Sequence, residues 1–333
     1  MKKKIAMFLS CILTLMTLTS CAQRETQDTE NLKAVFESDN SLLVESSGSI
    51  GFGYLNPPEN GYVYDGTDVR IPYYIENDGS KNEPDAKVGL MFFVDGEVQQ
   101  YSIATSEGNK ESDLNSFHFF SLAPGERQEF EAIFKPVSGM AGDEVGVIPA
   151  IIWNPEYMPE SGKIANFGNC YSLNSNIPLY IQMQENGTGE QKASSLQYNI
   201  MDIPEDILLS LEGQYSNDVY DYLDSSVGFE IETDNKRILY SDNGKVEVTI
   251  NLYGGKEVAD KITLFVGNQP IKIEDGDYVQ VNTQKGKMCQ IKATIDVSEL
   301  KNNSVLYAIV MTNGNDYLVQ DIYITDPVLI EIE

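Results

Sequence analysis

The chain has very little histidine, tryptophan and cysteine. Its 333 residues include one histidine (His118), one tryptophan (Trp153) and four cysteines. A single histidine excludes zinc sites built from several histidines, and a Ser-His-Asp or Cys-His site would have to use His118. That residue stands between aromatic neighbours on a predicted strand, so we expect it to pack or to hydrogen-bond rather than to catalyse. The chain has no G-x-S-x-G nucleophile motif, and we expect it not to be an enzyme.

Basic residues are also scarce. Lysine and arginine together number 23, against 51 aspartates and glutamates, and the formal net charge is −28. Nucleic-acid binding needs a basic face, so nucleic acid is excluded as a partner. The same charge repels anionic lipid headgroups. Acidic residues are so abundant that no carboxylate pair for glycoside hydrolysis stands out, which leaves a carboxylate-based hydrolase as the least favoured alternative.

The cysteines are placed unevenly along the chain. Cys11 and Cys21 lie near the N-terminus, whereas Cys170 and Cys289 lie in different halves. Their spacing fits no metal site, and neither a metal nor another cofactor is predicted. A disulfide between Cys170 and Cys289 would have to join two domains, so we expect two unpaired thiols.

The N-terminus has the pattern of an export signal. Three lysines, Lys2 to Lys4, precede an apolar run from Ile5 to Leu18 that ends in Leu-Thr-Ser-Cys. The run is shorter than the ~20 residues that span a bilayer, and the small residues after it are typical of a cleavage site. Residues 1–20 are therefore predicted to be a signal peptide. An ordinary secretory signal with an incidental cysteine is the alternative.

The last four residues of this segment, Leu18-Thr19-Ser20-Cys21, resemble the lipobox of bacterial lipoproteins. The resemblance implies cleavage between Ser20 and Cys21, a diacylglycerol on the Cys21 sulfur and a fatty acid such as palmitate on the new N-terminus. Two or three acyl chains hold a protein at a membrane where one does not. We therefore expect an extracytoplasmic protein that Cys21 anchors to the bacterial cell membrane. Residues 21–44 are polar and are predicted to be a flexible tether.

The rest of the chain has the periodicity of β-strands. Apolar and polar residues alternate in Val69–Ile75, Phe130–Phe134 and Val246–Leu252, which predicts strands with one face on a core and the other in water. Turn signals such as Asp95-Gly96 and Asn243-Gly244 separate them. The tract from Ile207 to Leu223 is less regular and is interpreted either as a short helix or as an irregular first strand.

The pattern occurs twice. Gly125 precedes Phe130, Ala132 and Phe134 by the same intervals at which Gly286 precedes Ile291, Ala293 and Ile295. The final strands of the two halves are predicted at Ile177–Met183 and Asp321–Thr325. A polar stretch at 186–195 is predicted to link two domains, 45–185 and 196–333. Sequential antiparallel strands in two copies predict an all-β protein of two tandem immunoglobulin-like β-sandwiches.

The segment from Val69 to Pro136 resembles the bacterial immunoglobulin-like adhesion modules of the CARDB type. The resemblance lies in IENDG (75–79), FFVDGE (92–97) and SLAPGE (121–126). It implies an extracellular, non-enzymatic module that spaces or binds, and it covers the first domain only. The second domain has Gln284-Lys285-Gly286-Lys287 in place of the last motif.

Tyrosines are the candidate ligand-binding residues. Exposed tyrosines suit sugar or protein surfaces, although strand propensity also explains tyrosines at such positions. The candidates fall into two groups: Tyr62, Tyr64 and Tyr74, and Tyr215, Tyr220 and Tyr222. Two acidic loops, 65–68 and 274–277, have the oxygens that calcium prefers but lack the EF-hand pattern, and we expect them to be turns.

These features together predict a membrane-anchored lipoprotein that acts as a non-catalytic adhesion, binding or spacer module. Its partner would be an extracellular protein or a glycan. The alternative is a carbohydrate-binding surface lipoprotein that serves a transporter or a hydrolase.

Overall fold

The computed structural model describes residues 49–105, 112–214, 219, 223, 227–254, 259–313 and 321–332. The predicted signal peptide, Ser20, Cys21 and the tether lie outside these residues. Among the described residues regular structure is almost entirely β, with one helix, α1 (Glu205–Gln214). No described helix has the length and apolar character needed to cross a membrane.

Eleven of the described strands build the first sandwich. They are β1 (Ile50–Tyr54), β2 (Tyr62–Tyr64), β3 (Val69–Asn77), β4 (Ala86–Val94), β5 (Glu97–Gln99), β6 (Ser102–Thr105), β7 (His118–Leu122), β8 (Arg127–Phe134), β9 (Glu144–Trp153), β10 (Leu173–Ser175) and β11 (Leu179–Met183). One sheet has the order β1-β3-β8-β6, and the other has the order β2-β11-β9-β4-β5, with β7 on β4 and β10 on β9. These are the A-B-E-D and G-F-C arrangements of the immunoglobulin fold, with β5 in the C′ place.

The second sandwich has a matching set of strands. They are β12 (Tyr198–Asp202), β13 (Val227–Ile231), β14 (Ile238–Tyr240), β15 (Lys245–Gly254), β16 (Ala259–Val266), β17 (Gln269–Ile271), β18 (Val279–Asn282), β19 (Lys287–Asp296), β20 (Ser304–Asn313), β21 (Ile322–Ile324) and β22 (Val328–Glu331). The sheets have the orders β12-β19-β15-β13 and β14-β22-β20-β16-β17. The prediction of two tandem immunoglobulin-like sandwiches is confirmed.

The internal repeat holds strand by strand, with one exception. Strand β2 pairs in parallel with β11, and β14 pairs in parallel with β22. In the first sandwich the D strand, which pairs with β8, is β6. In the second sandwich the strand in the same position pairs with β19 and is β12, which comes before all the other strands of that sandwich in the sequence. The final strand of the second half is β22, so the prediction of Asp321–Thr325 for that place was wrong; β21 in that stretch pairs with β20 as β10 pairs with β9.

The predicted alternation is confirmed along β3 and only in part along β8 and β15, where Ile133 and Asn251 are buried instead of facing water. Along β3 the side chains of Val69, Ile71, Tyr73 and Ile75 are buried, whereas Arg70 between them is exposed. Burying such side chains stabilises the fold by about 1.5–3 kcal/mol each. The Asp95-Gly96 and Asn243-Gly244 turns have positive φ at both positions, as a two-residue hairpin requires.

In the other two sheets neither face is open to water along the central strands. Strands β4, β9, β16 and β20 are buried on both faces: their outward-facing side chains are covered as completely as those of the cores. These outward-facing residues are Met91, Phe93, Ile148, Ala150 and Ile152 in the first sandwich and Phe265, Tyr307, Ile309 and Met311 in the second. Strands buried on both faces have continuous apolar runs, and β4, β9 and β20 have such runs, whereas β16 is interrupted by Asp260, Lys261 and Thr263.

The irregular tract begins with a helix. Helix α1 starts with Glu205 and Asp206, whose charges are favourable at a helix N-terminus. A small apolar cluster lies beside it, in which Ile207 and Leu208 pack against Ile203 and Met288. Of the two interpretations of this tract, the short helix is confirmed.

Candidate functional site

The two sandwiches meet at an ionic cluster that is buried between them. Lys261 of β16 places its Nζ atom 2.8 Å from Glu97 Oε1 and 2.8 Å from the backbone oxygen of Asp95, both in the first sandwich. The Nζ atom also lies 5.2 Å from the centre of the Tyr278 ring. The side chains of Lys261 and Glu97 are only 6% and 8% exposed. Removing either partner would leave a buried charge unpaired.

A tight turn makes this approach possible. Asp95 and Gly96 join β4 to β5 in left-handed conformations, with φ of 51° and 79°. A Cβ atom on Gly96 would lie 3.3 Å from carbon atoms of both Lys261 and Met311. The turn therefore contacts β16 and β20 of the second sandwich directly.

The loop between β9 and β10 contacts the second sandwich at another place. Glu331 Oε1 accepts hydrogen bonds from Ser161 Oγ at 2.8 Å and from the Gly162 amide at 2.7 Å. The Ala165 amide donates to the Lys236 oxygen at 2.8 Å. We call residues 154–172 the clasp, because they hold the second sandwich through backbone as well as side-chain groups.

The predicted interdomain linker is hydrogen-bonded along its length. Its Thr188 amide donates to the Pro136 oxygen, and its Ser194 amide donates to the Tyr278 oxygen. Lys192 pairs with Asp275 at 2.8 Å, and that carboxylate also accepts from the amide and hydroxyl of Ser195. These hydrogen bonds, with Lys192 nearby, lower the pKa of Asp275. The stretch contacts both sandwiches and fixes one of the two loops considered for calcium.

Beside the linker lies a cleft of about 620 Å³ between the sandwiches. Its walls are the outer faces of β6 and β8 on one side and of β16 and β17 on the other, with the linker residues Thr188 and Gln191 between them. This volume is in the range of small-molecule sites. The cleft is the candidate binding site.

Two buried hydroxyl groups face this cleft. Ser102 and Thr263 are 6% and 2% exposed and line it from opposite walls. Ser102 is paired with Ile133 on the face of its sheet that points away from the core, and Thr263 lies on the same outer face as Lys261 and Phe265. Neither hydroxyl has a hydrogen-bond partner among the described residues. Because neither hydroxyl hydrogen-bonds to another described residue, both groups are available to a ligand.

The first group of candidate tyrosines is not brought onto one surface. Tyr64 is 5% exposed and belongs to the first core, so it offers no face to a ligand. Tyr62 packs against that core with its hydroxyl buried and, within the described residues, unpartnered, and burial raises its pKa. Tyr74 lies on the outer face of the other sheet, where the Arg127 guanidinium covers its ring at 4.0 Å.

The other residues that the sequence analysis singled out either lie outside the described residues or pack and hydrogen-bond within the fold. Tyr215, Tyr220 and Tyr222 lie outside the described residues. The prediction that His118 packs or hydrogen-bonds is confirmed, because its Nε2 donates to the Tyr101 oxygen at 2.8 Å and burial lowers its pKa. Trp153 is partly buried against the first core. In the other acidic loop the Asp65 carboxylate accepts from the Thr67 amide and hydroxyl, which is a turn. No group of three or more metal ligands occurs among the described residues.

Titratable groups from three strands of the second sandwich lie near one another: Asp260 on β16, Cys289 on β19 and Tyr323 on β21. Asp260 is 3% exposed, and burial raises its pKa to about 7, while a hydrogen bond with Thr283 opposes that shift. Cys289 and Tyr323 both lie close enough for Asp260 to raise their pKa values further. Cys289 and Cys170 are both buried and free, and burial raises the pKa of each thiol to about 11.

Comparison with known proteins identifies no relative by sequence. No protein-family model and no curated protein matches the chain. Among solved structures, the chain is similar to the Salmonella enterica SafA pilin in complex with the SafB chaperone. The sequence identity is 11%, the match covers 85% of this chain and 95% of that chain, and the TM-score is 0.20. The CupB6 tip adhesin from Pseudomonas aeruginosa is also similar, at 10% identity over 87% of this chain and 99% of that chain, with a TM-score of 0.22. The collagen adhesin from S. aureus matches at 9% identity over 87% of this chain and 94% of that chain, with a TM-score of 0.20. At such TM-scores these similarities carry no argument about function, and the fold assignment rests on strand order.

Sequence reasoning missed the residues of the junction and the cleft. Lys261 is one of three charged or polar residues in an otherwise apolar strand, with Asp260 and Thr263 beside it. A lysine on the outer face of a predicted strand is normally solvated, so nothing marked it. The available signal was the apolar character of the intervening positions in β4 and β20, which indicates a second buried face.

Proposed function

We propose that this protein is a non-catalytic binding module that lipid on Cys21 anchors outside the cytoplasm. The two sandwiches act as one rigid body, and the cleft between them holds the ligand. The observation that carries this proposal is the junction: two sheets buried on both faces, joined by the Lys261–Glu97 pair. Such a junction suits a protein that holds a binding site at a defined geometry away from a membrane.

Lipid anchoring is supported by the sequence of residues 2–21. Metabolic labelling with radioactive palmitate tests it. We expect the wild-type chain and a Cys11→Ala variant to incorporate label and a Cys21→Ala variant to remain unlabelled. Equal labelling of the Cys21→Ala variant would refute the anchor. Biotinylation of intact cells, or of cells with a permeabilised outer membrane, tests the extracytoplasmic location independently.

The rigid-body proposal has its own test. Trp153 fluorescence reports on the first sandwich, whereas far-ultraviolet circular dichroism reports on both. If the junction couples them, the two signals change at the same urea concentration. Two separated transitions would show that the sandwiches unfold independently and would remove the physical basis for a shared site.

A further inference from the structure

The cleft between the sandwiches has the features of a built binding site. Ser102 and Thr263 line it from opposite walls, and each side chain is more than nine-tenths buried. Their hydroxyls point away from the two cores and have no partner among the described residues. Both can donate and accept hydrogen bonds, so a ligand with polar groups can bind to both walls of the cleft at once.

The charge of the protein restricts the ligand. Asp68, Glu190 and Asp277 line the cleft together with Lys135 and Lys272. The cleft is therefore slightly acidic, in a chain with a net charge of −28. A field of this sign raises the local concentration of cations and repels anions. Phosphorylated and carboxylated ligands are disfavoured, and basic ones are favoured.

The lining favours a peptide over a sugar. The one aromatic residue in the described lining, Phe134, is 2% exposed and offers no ring face for a pyranose to stack on. The apolar residues Pro270 and Ile271 are partly exposed in the lining and suit a side chain of an extended peptide. Strand β5 ends its sheet here, and the Val98 oxygen already accepts a hydrogen bond from the carboxamide of Gln191. A peptide amide would offer this oxygen the same kind of donor in place of Gln191.

We propose that this cleft binds a short, extended peptide with basic side chains, held through the hydroxyls of Ser102 and Thr263. The inference rests on the proposed function as a binding module and adds the ligand class. Its occupant would be a segment of a partner protein. A neutral oligosaccharide is the competing ligand, and the experiment distinguishes the two.

Titration of the full-length protein in detergent micelles tests the proposal. The probes are an acetylated hexapeptide of alternating lysine and valine, the same peptide with glutamate in place of lysine, and maltohexaose. We expect the lysine peptide to bind at least about tenfold more tightly than the other two. Thr263→Val should weaken its binding about tenfold, and Thr188→Trp, which fills the cleft, should abolish it. Thr249→Val changes a threonine on the opposite sheet of the same sandwich and should have no effect.

A second readout separates ligand binding from a structural role of the hydroxyl. Because the Thr263 hydroxyl makes no hydrogen bond to another described residue, Thr263→Val should leave the midpoint of thermal unfolding unchanged while it weakens binding. Unchanged binding in Thr263→Val and Thr188→Trp, a preference for the acidic peptide or for maltohexaose, or no binding of any probe would overturn the proposal. Palmitate labelling does not depend on these results, so failure of the ligand class and failure of the lipid anchor are distinguishable.

Discussion

Lys261 Nζ lies 2.8 Å from Glu97 Oε1, and the two residues are separated by 164 positions in the chain. The pair joins a lysine of the second sandwich to a glutamate of the first in a place with almost no solvent access. Buried pairs of this kind contribute little to stability compared with apolar residues, but they penalise every arrangement in which they separate. The pair therefore specifies how the two sandwiches fit together.

Breaking this pair is expected to destabilise the protein more than breaking an exposed one. Lys261→Met leaves Glu97 and its neighbour Asp95 without a cation and should lower the free energy of unfolding by about 3–5 kcal/mol. The double variant Lys261→Met/Glu97→Gln should recover most of that loss. Urea unfolding measures both. The control is Arg70→Ala, which breaks an exposed pair with Glu131 and should change stability by less than ~1 kcal/mol. Equal losses of unfolding free energy in the Lys261 and Arg70 variants would show that the Lys261–Glu97 pair is no more important for stability than an exposed pair.

The clasp should open when its carboxylate anchor is removed. Glu331→Ala deletes the acceptor for Ser161 Oγ and the Gly162 amide but leaves the backbone of β22 unchanged. We expect the clasp to be cleaved about fivefold faster by a nonspecific protease, which corresponds to roughly 1 kcal/mol for the lost hydrogen bonds. Glu160→Ala removes a neighbouring exposed partner of Lys163 and should leave the cleavage rate unchanged. An unaffected rate in the Glu331 variant would show that the clasp is held by other contacts.

Stability should fall as pH rises from 4 to 8 because of Asp260. Burial raises the pKa of this carboxyl from 3.8 to about 7, so the folded protein binds its proton more tightly than the unfolded chain does. The stabilisation is complete below the unfolded pKa and is lost as pH rises through the folded value. A shift of this size corresponds to about 4 kcal/mol.

Asp260→Asn should remove this pH dependence and stabilise the protein at pH 8, as urea unfolding at several pH values would measure. The groups that face Asp260 are Thr283, Cys289 and Tyr323, and neither Cys289 nor Tyr323 has a lowered pKa. Asp296→Asn is a control whose effect on stability should depend on pH in the opposite direction. A hydrogen bond from Ser298 lowers the pKa of Asp296, so its stabilisation is lost at acidic pH. An Asp260→Asn profile parallel to the wild type would contradict the assignment.

The two buried thiols should be unreactive in the folded protein. Burial raises the pKa values of Cys170 and Cys289 to about 11, so little thiolate exists at pH 8, and access is blocked as well. Ellman's reagent should label neither residue in the native state and both in urea. Cys170→Ala and Cys289→Ala should each remove one equivalent from the denatured count. Rapid labelling of either thiol in the folded protein would show that its surroundings open.

Local sequence patterns predicted much of the fold. The alternation in Val69–Ile75 identified β3 and its buried face, and Asp95-Gly96 identified a two-residue hairpin, because both depend on neighbours in sequence. The repeated spacing after Gly125 and Gly286 also pointed correctly to two copies of one sandwich. These features follow from backbone geometry and side-chain periodicity, which act over a few residues.

The edges of the sheets and the junction were not predictable in this way. Nothing in Tyr198–Asp202 indicates that β12 occupies the D place of the sandwich that follows it, because strand pairing depends on which edge is open. The sequence also does not show that Tyr62 and Tyr64 on β2 face the first core while Tyr74 on β3 faces outward, because that depends on how the two sheets pack.

What the sequence by itself determined is that this is an all-β chain of two similar sandwiches, with its strands, turns and acidic charge. Only the tertiary structure decided that the sandwiches pack through their G-F-C sheets, that Lys261 is buried against Glu97, and that Ser102 and Thr263 face one cleft. The reason is physical: periodicity states which residues of a strand share a face, but whether that face meets water or another domain depends on partners more than a hundred residues away.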